Sequence, residues 1–273
     1  MGDWPILSDG AKLSDIGTVL ASSRYTNVYP NSAANTKGNW TQLTASTPCQ
    51  ANGFWLNLGQ ANQARDWLTD IAIGPAGSEK VIISNLLVSK SFPVYSLYFP
   101  LTLPAGIRIV ARTQNTGTGS SYINVGIILN TPGFLPSATL SRCTTYGANE
   151  ADSGGVSVDS GETAHTKGAW SEIVASTTYP VKMLFAIPGL RNVNRVNLYQ
   201  ATLFDIGIGA AGSEIVVVPN IYFLNPGYSL FNPPAFGPYM VNIPAGSRLV
   251  VRAQHATNNA TDRLVDYILY GVD

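Results

Sequence analysis

The chain writes one long passage twice. Asp70-Ile71-Ala72-Ile73-Gly74-Pro75-Ala76-Gly77-Ser78-Glu79 returns as Asp205-Ile206-Gly207-Ile208-Gly209-Ala210-Ala211-Gly212-Ser213-Glu214. Thr36-Lys37-Gly38-Asn39-Trp40 returns as Thr166-Lys167-Gly168-Ala169-Trp170, and Pro104-Ala105-Gly106-Ile107-Arg108 through Gln114 returns as Pro244-Ala245-Gly246-Ser247-Arg248 through Gln254. The offset grows from 130 to 135 to 140 residues along the chain. So long a period means two related domains, each with its own core, rather than a solenoid of short units. What both copies share reads as scaffold. What differs between them is where function is expected.

Only 12% of the 273 residues are charged, and Gly, Pro, Ser, Thr and Asn take up the difference. Such a composition favours short strands joined by many turns. Apolar runs such as Leu68–Ile73 and Lys80–Val88 flank the Gly-Pro-Ala-Gly-Ser turn, and Ile107–Gln114 partly alternates apolar with polar. The expected fold is all-β: two tandem β-sandwiches of jelly-roll type, with a barrel as the alternative. The expected divisions are an amino-terminal docking arm (1–20) that carries Trp4, Pro5 and Ile6, a first sandwich (21–132), a stiff linker (133–137) and a second sandwich (138–273).

Several chemistries lack material. With 16 residues of each charge sign and no basic block, a nucleic-acid partner is not expected. The two histidines, His165 and His255, replace Asn35 and Asn115 of the first copy, and no nucleophilic triad can be assembled around them. Metal-ligand spacing and phosphate-binding loops are missing, so no catalytic residue, metal or cofactor is assigned. Cys49 and Cys143 sit at non-equivalent positions and read as thiols rather than as a repeated bridge. No signal peptide or membrane-length apolar run occurs, so synthesis in a cytoplasm without membrane insertion is expected.

Of the repeated charges, Asp70 with Glu79 and Asp205 with Glu214 read as turn anchors, and Arg112 and Arg252 as inter-strand partners of Asp70 and Asp205. Trp40 and Trp170 read as buried landmarks. The candidate recognition residues lie where the copies disagree. Trp55 and Trp67 have no second-copy counterpart, and the loop at 225–239 carries Tyr228, Phe231, Phe236 and Tyr239 among prolines. Exposed rings of this kind stack on sugar faces or fill a partner's pocket. The polar stretch from Tyr146 to Gly155 reads as a mobile insertion.

The repeated strings, Asp-Ile-x-Ile-Gly-x-Ala-Gly-Ser-Glu and Pro-Ala-Gly-x-Arg-Ile/Leu-Val-x-Arg-x-Gln, resemble segments of virion proteins of tailed bacteriophages and gene transfer agents. The similarity covers roughly 36–114 and 166–254. It implies a head spike, head fibre, tail fibre or capsid decoration assembled as an oligomer on the particle with other virion proteins, and in some cases binding of host surface polysaccharide. A non-enzymatic, glycan-binding virion component is the expected function. The alternative is a cement protein that bridges capsomers without a ligand.

Overall fold

The computed structural model describes residues 13–19, 24–59, 62–63, 65–89, 95–130, 140–189, 199–226, 236–257 and 264–273, and every regular element among them is a β-strand. The first ten strands are β1 (Leu13–Ile16), β2 (Thr18–Val19), β3 (Arg24–Val28), β4 (Thr41–Thr44), β5 (Gly53–Gly59), β6 (Asp66–Ile73), β7 (Lys80–Ser89), β8 (Tyr95–Phe99), β9 (Ile109–Asn115) and β10 (Ile123–Asn130). They form one sheet of order β2-β3-β10-β5-β8, with β1 also on β10, and a second of order β4-β9-β6-β7. The remaining strands are β11 (Cys143–Tyr146), β12 (Val156–Asp159), β13 (Ser171–Val174), β14 (Val181–Gly189), β15 (Tyr199–Ile208), β16 (Ile215–Pro226), β17 (Phe236–Ile243), β18 (Leu249–His255) and β19 (Leu264–Val272). They repeat the plan as β11-β19-β14-β17, with β12 also on β19, and β13-β18-β15-β16.

In both halves the chain alternates between facing antiparallel sheets in the strand order of an eight-stranded jelly roll. The protein is therefore a tandem of two jelly-roll sandwiches. Each core is made by the inward residues of both sheets: Phe54, Leu56, Leu58, Ile71 and Ile127 in the first, and Leu184, Phe204, Ile206, Tyr267 and Leu269 in the second.

The first sandwich begins earlier than residue 21. Leu13–Ile16 pairs with β10 as Cys143–Tyr146 pairs with β19, so this part of the expected arm is a sheet strand with a counterpart in the second copy. Trp4, Pro5, Ile6 and the linker at 133–137 lie outside the described residues.

The repeated decapeptide is the turn from β6 to β7, and again from β15 to β16. Gly74, Gly77, Gly209 and Gly212 hold left-handed backbone angles there, with φ of 113°, 83°, 119° and 82°. Arg108 Nη1 donates to Gly74 O at 3.1 Å and to Glu79 Oε1 at 3.0 Å, and Arg248 Nη1 does the same to Gly209 O and Glu214 Oε1, both at 3.1 Å.

The other repeated charges meet at one buried aspartate per sandwich. Asp70 Oδ1 accepts from Lys37 Nζ and from the Asn85 amide, both at 2.8 Å, and its Oδ2 accepts from Arg112 Nε at 2.8 Å. Asp205 binds Lys167, the Asn220 amide and Arg252 in the same way, at 2.8, 2.8 and 2.9 Å. The expected Arg–Asp pairs are thus present. The guanidinium groups of Arg112 and Arg252 lie 4.4 Å above the rings of Trp40 and Trp170. These two tryptophans are half-buried lids over the charge network rather than core residues.

Burial alone would raise the Asp205 pKa, but hydrogen bonds from Lys167, the Asn220 amide and Arg252 outweigh it and hold the carboxyl below its ordinary value. A carboxyl with a depressed folded pKa stabilises the fold above the unfolded pKa, and that contribution is lost as pH falls through the folded one. The melting temperature is therefore expected to fall on acidification below about pH 4. In Asp205→Asn the drop should be shallower, which calorimetry across pH 2–6 would read.

The two sandwiches share an apolar cluster at their seam. The outer face of the β14/β19 sheet presents Phe185, Ile187, Ile268, Tyr270 and Val272, all buried in one cluster with first-sandwich residues such as Leu87 and Phe99. Phe185 packs on Phe99 with ring centroids 5.5 Å apart. The Tyr270 hydroxyl donates to Asn85 O and accepts from Leu87 N, both at 2.8 Å, on the edge strand β7. The stretch read as a mobile insertion is pinned at this seam. Gln114 Nε2 donates to Glu150 O at 2.7 Å and to Ser153 Oγ at 2.9 Å, and Ser153 Oγ donates to Asn35 Oδ1 at 2.8 Å.

Tyr270→Phe keeps the ring and leaves the buried Leu87 N–H without an acceptor. The expected cost is about 1–3 kcal/mol, read as a lower urea midpoint at unchanged slope.

Cys49 and Cys143 form no disulfide. Complete burial pushes the Cys143 thiol up to about 12. A thiol this reluctant to ionise is a packing element, not a nucleophile.

Candidate functional site: an aromatic sheet face

Strand β5 alternates. Phe54, Leu56 and Leu58 point into the core, so Trp55 and Asn57 point out. The register carries that outer face across the sheet. Trp55 lies opposite Ile128 on one side and Tyr98 on the other, and Asn57 lies opposite Gly126 and Ser96. Asn124 faces Asn27 on β3.

Trp55 and Tyr98 pack with centroids 5.1 Å apart at 52°. Beside them runs a polar row in which Asn57 Nδ2 donates to Tyr25 OH at 3.2 Å and Ser96 Oγ donates to Asn57 Oδ1 at 2.6 Å. In the next row Asn124 Nδ2 donates to Asn27 Oδ1 at 2.6 Å, and Asn27 Nδ2 donates to Tyr29 OH at 3.2 Å. Tyr29 in turn meets Tyr122 edge-on, with centroids 5.8 Å apart.

Two glycines let these rings lie low. A Cβ on Gly126 would collide with the Tyr25 ring, and one on Gly53 would collide with the Tyr98 hydroxyl. Burial raises the Tyr98 pKa, with Asn130 acting in the opposite sense, so the phenol stays protonated and able to donate.

The equivalent face of the second sandwich has other residues and another fate. Phe185 stands where the first has Trp55, Ile187 where it has Asn57, Ile268 where it has Gly126 and Tyr270 where it has Ile128. That face is apolar and covered by the first sandwich. In the first sandwich Trp55 is 37% exposed and Tyr29 is 51% exposed, with Ser96 also at the surface; Tyr25, Asn27 and Tyr98 are half-buried, and Asn57 and Asn124 are buried. The rows named carry stacking rings, amides and hydroxyls, and Asp15 lies opposite Ile128 beside them. Such a set can stack on apolar ring faces and exchange hydrogen bonds with hydroxyls. It holds no acid–base pair. Among the described residues no group of three or more His, Cys, Asp or Glu is placed to hold a metal ion.

The sequence-based candidates divide. Trp55 is on this face. Trp67 is fully buried in the first core, and its indole N–H has no hydrogen-bond partner among the described residues, so it cannot stack on a ligand. Phe236 and Tyr239 belong to strand β17 and flank the second core. Phe236 meets Phe204 edge-on at 5.6 Å, so these rings fill the sandwich end rather than project from a loop. Tyr228 and Phe231 lie outside the described residues. Tyr25, Asn27, Asn57, Ser96, Tyr98 and Asn124 were missed. Their signal was available in the period-2 pattern Phe54-Trp55-Leu56-Asn57-Leu58, set against the unbroken apolar run Leu184-Phe185-Ala186-Ile187.

No helix among the described residues is long and apolar enough to cross a membrane. No protein-family model matches the chain, and no curated protein matches it. Among solved structures it is similar to PNGF-II in space group C2, at 10% identity and a TM-score of 0.45, covering 95% of this chain. The same protein in space group P21 gives a TM-score of 0.36, and in both cases this chain spans 65% of the PNGF-II chain's length. A third similar structure is the N-terminal CBM22-1-CBM22-2 tandem domain from Paenibacillus barcinonensis Xyn10C, at 10% identity, with 97% of this chain and 90% of that chain covered and a TM-score of 0.25.

Proposed function

We propose that the protein is a non-enzymatic glycan-recognition component, with the outer β3-β10-β5-β8 face of the first sandwich as the sugar platform and the second sandwich as its rigid mount. One observation carries this reading. The same face that is apolar and covered in one copy is aromatic and polar in the other, with Trp55, Tyr29 and Ser96 at the surface. Sugars offer apolar C–H faces edged by hydroxyls. A tilted Trp–Tyr pair beside amide and hydroxyl rows complements both features.

The resemblance of the repeated strings to phage and gene-transfer-agent proteins supports a place on a virion, where many copies of a weak site would add avidity. Immunogold labelling of purified particles tests that placement. Failure to label any particle would remove it and leave the sugar site standing. For the site itself, the intact protein is applied to a glycan array at 150 mM salt. Retention of a defined group of neutral glycans is the expected result. Absence of retention of any glycan removes the reading in favour of a structural decoration.

A further inference from the structure

The socket that pins residues 150–153 at the seam is built a second time. Asn35, Gln114 and Asn85 of the first sandwich correspond to His165, Gln254 and Asn220 of the second. The backbone frame is the same. Asn35 N donates to Asn115 O at 2.7 Å, as His165 N does to His255 O at 2.8 Å. Asn35 and His165 share left-handed φ of 53° and 58°, and Asn85 and Asn220 share 53° and 50°. In the first sandwich three side chains are spent on the loop, since Asn85 Nδ2 also donates to Glu150 Oε1 at 2.8 Å. In the second, the Gln254 and Asn220 side-chain amides have no hydrogen-bond partner among the described residues. A cavity of about 190 Å³ opens there instead, lined by His165, Ala201, Leu203, Tyr222 and Gln254.

We propose that this second socket binds a single saccharide residue, held by Gln254 and His165 against the Tyr222 ring. Its filled counterpart defines the ligand chemistry. There one glutamine amide reaches a hydroxyl and a neighbouring acceptor oxygen, and the hydroxyl donates a hydrogen bond to the residue-35 side chain. Adjacent oxygens on a sugar ring supply the same pair. The replacements point the same way. Tyr222, 57% exposed, stands where the first copy has the buried Leu87, and Ala201 stands where it has Asp66. An aromatic wall is gained and a carboxylate is lost. The volume is below the roughly 300 Å³ at which pockets begin to take drug-sized ligands, so it suits one ring and not a folded loop. The site shares its ligand class with the Trp55 face and none of its residues.

The test is a titration of the intact, ¹⁵N-labelled protein with glucose, galactose and N-acetylglucosamine in turn. At least one sugar should give saturable shifts at the Gln254 side-chain amide and at backbone amides 201–203 and 254–256. These shifts should persist in Trp55→Ala, weaken at least fivefold in Tyr222→Ala and vanish in Gln254→Ala. Shifts at Gln254 in a protein that shows none around Trp55 support this site and overturn only the platform reading. If none of the three sugars moves these resonances, or if they still move in Gln254→Ala, the proposal fails. It fails equally if a synthetic peptide of residues 146–155 moves them and no sugar does, because the socket is then a protein-docking site.

Discussion

Replacing Asp70 by alanine is expected to destabilise the protein by about 3–5 kcal/mol, the usual cost of removing one member of a buried ion pair. Asp70 is 3% exposed and receives two cations and an amide. Without it Lys37 is the worst placed of its partners. Burial already lowers the Lys37 pKa, and attraction to Asp70 is the largest influence opposing that shift. Its ammonium would keep only the Leu68 carbonyl, at 3.1 Å, and the Asn85 side chain, at 2.7 Å. A loss of this size lowers the melting temperature by on the order of 10 °C. Asp70→Asn, which keeps acceptor and shape but not charge, should fall between wild type and alanine. An alanine variant that melts within 2 °C of wild type (a margin of roughly 1 kcal/mol or less) would show that the repeated Lys–Asp–Arg node is ornamental.

The second large effect concerns recognition. Trp55→Ala should weaken retention of any glycan found on the array by about 30-fold, corresponding to roughly 2 kcal/mol for a central aromatic contact. Stability should change far less than in the Asp70 variants, because the ring is partly exposed. A sharper variant borrows from the chain itself. Trp55→Phe with Asn57→Ile installs the side chains that the second copy carries at the same register positions. Binding should be lost, with a modest fall in the urea midpoint from the two Asn57 hydrogen bonds removed. Undiminished retention by this double variant, measured by isothermal titration with the same glycan, would mean that the sugar sits elsewhere.

Much of the architecture was legible because a duplication exposes its own frame. The Lys-Gly-x-Trp string, the Asp of the repeated decapeptide and the Arg-x-Gln strand recur because each supplies one part of a charge node in both sandwiches. The Gly-x-Ala-Gly turn recurs with its own Arg108–Glu79 or Arg248–Glu214 tie. The site was harder to read, for a physical reason. Difference between copies marks Trp55 and Trp67 equally, yet one lies on an outward row and the other in the core. Only strand parity separates them. For the aromatic stretch at 225–239 the composition alone leaves a recognition loop and rings that cap the sandwich end equally open; Phe236 and Tyr239 take the second course, in β17 against the second core. The start of the first sandwich was obscured because β1 shares a register with β11 but not a recognisable string.

The covered sheet at the seam has a consequence for how the protein can change over time. Strands β14 and β19 are hemmed in on both sides, so nearly every position along them is confined to swaps that conserve volume. Strands β5 and β10 answer to a core on one side only. Outward positions such as Trp55 and Ile128, the partner of Asp15, are free of a second core, whereas Gly53 and Gly126 are fixed by the rings they admit. Diversification of what the protein recognises is thus channelled into the amino-terminal copy, while the other is held still by the neighbour that roofs it.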